Sequence, residues 1–78
     1  MKLTYDPRYN IAYLRFKEKT AEIETIRLSD ELNVDLTPDG KVYGIELLNA
    51  NQQLGELLEG KLVLENLATG KEHEVVLG

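Results

Sequence analysis

The sequence predicts an α+β fold dominated by β structure: an antiparallel sheet of five to seven strands built from hairpins, with one short helix near residues 51–59. Three observations carry this. Apolar and polar residues alternate with period 2 over several short runs, which on a strand sends them to opposite faces. The runs are separated by turn chemistry, Asp6-Pro7 through Asn10, Pro38-Asp39-Gly40 and Thr69-Gly70. Only Leu54, Leu57 and Leu58 repeat at helical spacing, with Gly60 just beyond as a stop.

Taken in order, Lys2 to Asp6 and Ile11 to Lys17 form a first hairpin, with Asp and Pro opening its turn and Asn10 tolerating a left-handed backbone. Along the second strand Ala12, Leu14 and Phe16 share the core face, and Ile11, Tyr13, Arg15 and Lys17 share the other. A charged turn, Lys17 to Thr20, leads to an edge strand, Glu22 to Leu28, marked by Ile23, Thr25 and Ile26. Leu32 to Leu36, the turn Thr37 to Gly40, and Lys41 to Leu48 form the clearest hairpin. Pro38 and Asp39 suit a type I turn, and Gly40 suits the left-handed position after it. If Thr37 pairs with Lys41, then Leu36 lies opposite Val42, Val34 opposite Gly44 and Leu32 opposite Glu46, with Tyr43, Ile45 and Leu47 on the reverse face. Such a strand is central and covered on both sides, by a helix and by a partner subunit or another sheet, and Gly44 lets something approach its backbone closely. After the helix, Lys61 to Asn66 and Lys71 to Leu77 form a last hairpin; Gly55 and Gly60 argue against the rival in which the helix continues to Leu67. The expected core is Leu3, Ala12, Leu14, Phe16, Val34, Leu36, Val42, Ile45 and Leu47.

Size and charge bound the rest. At 78 residues and 8.8 kDa the chain is one small domain, residues 1–78, too short for a Rossmann fold or a TIM barrel. A core of this size contributes little net stability, and without cysteine no disulfide framework or Cys/His metal cluster reinforces it. A homodimer is therefore expected. Net charge is −5, which opposes sequence-independent attraction to nucleic acid and to anionic membrane. The charge is uneven: residues 1–20 hold five basic and two acidic groups, +3, whereas residues 21–78 hold four basic and twelve acidic, −8. The N-terminus lacks the apolar run of a secretory signal and no segment is apolar enough to span a membrane, so cytoplasmic residence is expected.

Tyr5-Asp6-Pro7, Ile11-Ala12-Tyr13-Leu14, Val34-Asp35-Leu36, Asp39-Gly40 and the run Gly44 to Ala50 together resemble the small prokaryotic Domain of Unknown Function family 2283. The resemblance covers roughly residues 1–54, a family-like core, and leaves residues 55–78, the end of the helix and the last hairpin, as an extension. Asn10 stands where the family usually carries an acidic residue. The resemblance implies a compact β-rich domain with no established activity and no catalytic residue to carry over. Because some members lie beside small toxin-like proteins, it also implies an antitoxin- or immunity-type role.

Candidate sites are few. Asp35, Thr37, Asp39, Gly40, Val42 and Glu46 fall at positions 1, 3, 5, 6, 8 and 12 of a calcium loop. Thr at position 3, Pro38 inside the loop and period-2 flanks favour a hairpin over helix–loop–helix. Glu46 is the best single candidate for chemistry, because the expected register sets it beside Leu32 and Val42, where burial would raise its pKa unless it is paired. A structural role, bonded to a tyrosine, to Arg15 or Arg27 or to backbone amides, is the stronger expectation. His73 lies between Glu72 and Glu74, which point away from it on a strand; it is expected to be exposed. Ser29 and Thr37 have no partner base. The tyrosines Tyr5, Tyr9, Tyr13 and Tyr43 suit core or interface packing better than stacking on nucleobases beside Arg8 and Arg15. The expectation is a non-enzymatic protein-interaction module without cofactor, binding a partner with a basic surface. The alternative is a small-ligand or divalent-metal domain around Glu46 and the Asp35–Asp39 turn, with Asp35, Asp39 and Glu46 as the metal candidates.

Overall fold

The computed structural model describes residues 1–18 and 22–76. Five strands, β1 (Lys2–Asp6), β2 (Ile11–Arg15), β3 (Glu24–Ser29), β4 (Leu32–Leu36) and β5 (Val42–Leu48), form one antiparallel sheet in the order β1-β2-β5-β4-β3. β5 is the middle strand and β3 an edge, as the patterning predicts. The helix α1 (Ala50–Leu54) runs on into a 3-10 turn (Gly55–Glu59), and β6 (Lys61–Asn66) pairs with β7 (Lys71–Val76) as a separate hairpin. Residues 61–66 are thus strand, not continued helix. Parts of the expected charged turn (19–20) and the end of the last strand (77) lie outside the described residues. No helix among the described residues is long and apolar enough to cross a membrane.

The turns form as their residues dictate. Asn10 takes a left-handed φ of 56° at the end of the β1–β2 turn, and Arg8 bonds Asp6 at 2.9 Å at its start. Between β4 and β5 the Thr37 amide donates to the Lys41 carbonyl at 2.8 Å, and Gly40 adopts φ 85°, where a side chain would be strained. Asn10 also ties α1 to the sheet. Its carbonyl accepts from the Ala50 amide at 3.0 Å, its Oδ1 from the Asn51 amide at 2.9 Å, and its Nδ2 donates to Asn49 and Asn51 at 3.1 and 2.7 Å. A carboxylate at this position could accept but not donate, so it could not make the bonds to Asn49 and Asn51 that the Asn10 amide makes. These bonds fasten the start of the helix to the β1–β2 turn at one end of the sheet.

Two expectations need correction. The β4–β5 register slips by one residue between Asp35 and Leu36, with Tyr43 as the extra residue. Leu36 does face Val42, but Val34 pairs with Ile45 and Leu32 with Leu47, so Gly44 falls opposite Asp35 and Glu46 opposite Asn33. The bulge turns Tyr43 onto the face of Gly44 and Glu46, leaving Val42, Ile45 and Leu47 with Leu32, Val34 and Leu36. The core is the second correction. All nine expected core residues share this one apolar face, yet only Ala12 is fully buried, Phe16 and Val42 are exposed, and the other six are half-buried. The buried apolar set is Ala12, Tyr43 and Ala50, and no large side chain among the described residues is fully buried. Alternation selected the right face; burying it fully requires a second layer.

Candidate functional site

On the opposite face the register stacks polar residues. Arg15, Gly44, Asp35 and Thr25 follow one another across β2, β5, β4 and β3, beside the row Tyr13, Glu46, Asn33 and Arg27. Tyr13 leans diagonally from its own row over Gly44, and its hydroxyl donates to Asp35 Oδ2 at 2.6 Å. A Cβ on Gly44 would collide with the Tyr13 hydroxyl oxygen and lie 2.6 Å from ring atoms, so only glycine lets the ring cross the middle strand. From the far side the Thr25 hydroxyl donates to Asp35 Oδ1 at 2.5 Å. The result is a hydrogen-bonded belt spanning four strands, joined at Asp35, a charged side chain that is 8% exposed.

The electrostatics follow from that geometry. Burial first, then the bond donated to Asp35 and the nearby negative charge of Asp35 and Glu46, raise the Tyr13 phenol above its ordinary value. Tyr13 therefore stays protonated and donating throughout the neutral range. Both Asp35 oxygens are occupied by donors, so the belt holds the carboxylate fixed and does not offer it as a free base.

Above the belt lies a shallow cleft of about 380 Å³, lined by Lys2, Thr4, Tyr13, Arg15, Ile23, Asp35 and Tyr43. Lys2 and Arg15 are directly opposed across β1 and β2. Neither makes an ion pair among the described residues, and the Tyr43 hydroxyl has no hydrogen-bond partner among them.

The sequence candidates separate. Asp35 and Glu46 reach the same face as neighbours of Tyr13, whereas Asp39 lies in the exposed β4–β5 turn. There it accepts from Thr37 and lies 3.8 Å from Lys41; the Thr37 bond chiefly lowers its pKa. Glu46 is half-buried and accepts from Asn33 Nδ2 at 2.9 Å; the other Asn33 side-chain atom, Oδ1, is buried without a partner. The calcium-loop spacing is carried by the strands β4 and β5, and no group of three or more acidic, His or Cys side chains converges among the described residues. His73 is exposed, opposite Leu64. Tyr9 is exposed beneath Arg8, Tyr5 donates to Asn10, and Tyr13 and Tyr43 line the cleft. The Thr25 contact and the role of Tyr13 were not foreseen. The available signal was Asp35, an acid on an alternating strand, together with a glycine on its neighbour.

A single antiparallel sheet with one polar, belted face and one open apolar face defines a small β-sheet domain. Residues 2–51 match the family model described as protein of unknown function (DUF2283), and the chain belongs to that family. The match covers the five-stranded sheet and ends as α1 begins, leaving the β6–β7 hairpin outside it. Neither the curated proteins nor the solved structures compared with the chain contain a match.

Proposed function

We propose that this protein is a non-enzymatic interaction module that works as a homodimer, two copies meeting through the apolar faces of their five-stranded sheets. The observation that carries the reading is that open face. Five strands about 4.8 Å apart and about 17 Å long present on the order of 400 Å² in projection, comparable to the largest apolar patch a monomer ordinarily exposes. Leu3, Leu14, Val34, Leu36, Ile45 and Leu47 all point there and are only half-buried. A second copy suits it for an electrostatic reason. Each molecule carries −5, so copies repel except where they meet on uncharged surface, and this face holds almost no charge. Two such sheets pack about 10 Å apart as a sandwich, supplying the missing second layer. Light scattering and sedimentation velocity at micromolar concentration should give twice the 8.8 kDa monomer mass, and Leu47→Asp should halve it. A wild-type monomer would end the reading.

A second surface favours a basic protein partner. On one face of the β6–β7 hairpin Glu65 lies directly opposite Glu72, next to Glu74 opposite Val63, all exposed. Like charges so placed cost stability, and a cationic partner removes the cost. Such a contact would serve an antitoxin-type role. Capture of a basic protein that is lost at high salt, and lost again with Glu65→Lys, supports it.

A further inference from the structure

We propose that the cleft over the polar belt is a binding site for a small organic anion, a carboxylate or phosphate ester on a planar body, with Lys2 and Arg15 holding the charge. The first support is the register: Lys2 and Arg15 are directly opposed on neighbouring strands, an arrangement that repels and that an anion between them would convert to attraction. The chain as a whole is acidic, yet two of the five basic residues of 1–20 line this cleft.

The second support is the treatment of Asp35. Asp35, the acid that lines the same cleft, accepts from Tyr13 and Thr25 and makes no ion pair with Lys2 or Arg15 among the described residues. Both cations are thereby left without an ion pair, among the described residues, at a cleft whose acidic wall residue bonds elsewhere. The third is shape. A volume of about 380 Å³ lies at the small end of ligand sites. Its walls combine the rings of Tyr13 and Tyr43 and the side chain of Ile23, which suit a flat body, with the hydroxyl of Tyr43, which has no hydrogen-bond partner among the described residues, beside it. The site is on the face opposite the apolar one, so it stands whether or not the chain dimerises.

The test is an NMR titration of the full chain, ¹⁵N-labelled, with phenyl phosphate, and in parallel with benzyl alcohol as a neutral body of similar shape. Phenyl phosphate should give saturable shifts centred on Lys2, Thr4, Arg15 and Tyr43, and benzyl alcohol should not. Lys2→Gln and Arg15→Gln should each raise the phenyl phosphate Kd about tenfold. Both should leave the ligand-free melting temperature unchanged or higher, because each removes a repulsion. Lys2→Gln is at an exposed edge, so the proposal stays testable if Arg15→Gln does not fold. Equal binding of benzyl alcohol, shifts centred elsewhere, no saturation at millimolar ligand, an unchanged Kd in the variants, or a ligand-free Lys2→Gln protein that melts lower would each overturn it.

Discussion

The two faces of the five-stranded sheet are built by the same alternation and finished in opposite ways. On one, Tyr13, Asp35 and Thr25 complete one another, and Gly44 supplies the space they need. On the other, the aliphatic residues of all five strands share a surface that stays largely half-exposed, and only Ala12 is fully buried there. A polar face can be closed by side chains reaching sideways within one layer, because a hydrogen bond needs only a single donor and acceptor. An apolar face cannot, because hydrophobic stabilisation scales with area removed from water and requires a second layer. That physical difference is why the polar face is bonded within its own layer, whereas the apolar face is the one proposed to meet a second copy.

Charge on the apolar face should have the largest effect. Ile45→Asp places a carboxylate at the centre of the surface proposed to be covered, where an unpaired buried charge costs about 3–5 kcal/mol. Urea denaturation should show that loss together with dissociation, and wild-type stability should rise with protein concentration. An Ile45→Asp protein as stable as wild type would mean that the face is open in solution, and the contrast between the faces would be one of composition only.

Next is Gly44→Ala, on the polar face. Its methyl group collides with the Tyr13 ring, so the ring must leave Asp35. Overpacking together with the lost bond should cost about 2–3 kcal/mol. In a Tyr13→Ala background the same change should be close to neutral, since the space is then vacant. A cycle without coupling between the two sites would disprove that the belt is a unit.

Tyr13→Phe keeps the ring and removes only the hydroxyl bond, at about 1–2 kcal/mol near neutral pH. The folded-state pKa of Tyr13 is raised, so its contribution is fully present below the unfolded phenol value of about 10 and is lost as pH rises toward the folded value. The stability gap between wild type and Tyr13→Phe should therefore narrow above about pH 10. A gap that stays constant to pH 11.5 would show that burial and Asp35 do not perturb this phenol.

Local chemistry was legible and long-range registration was not. The turn Thr37 to Lys41, the left-handed Asn10 and the hairpin ends at Asn66 and Lys71 depend on neighbouring residues, and the sequence predicts them to within a residue. Glu46 was set beside Leu32 because Tyr43, Ile45 and Leu47 alternate well enough to hide one inserted residue. The bulge at Tyr43 costs the local pattern nothing, yet it exchanges the partners of every residue beyond it on β5. Asp35 and its donors lie 22 and 10 positions apart in sequence, so the belt exists only once that register is known. Burial failed for a different reason. Periodicity reports which way a side chain points, and whether anything lies above it depends on layers that no local pattern encodes.

The smallest effect distinguishes the hairpin from both faces of the sheet. Glu65 and Glu72 repel across β6 and β7, and neither is compensated by an ion pair among the described residues. Glu65→Lys turns that pair into an attraction. Because both groups are exposed and screened, the gain should be only about 0.3 kcal/mol, and smaller in high salt. The sign matters more than the size. A substitution that stabilises the free protein while weakening capture of a basic partner would show that the hairpin, like the apolar face, gives up stability of its own for the sake of a contact. A substitution that stabilises it and leaves capture unchanged would make the repulsion incidental, and the proposal of a protein contact would then rest on the sheet's apolar face.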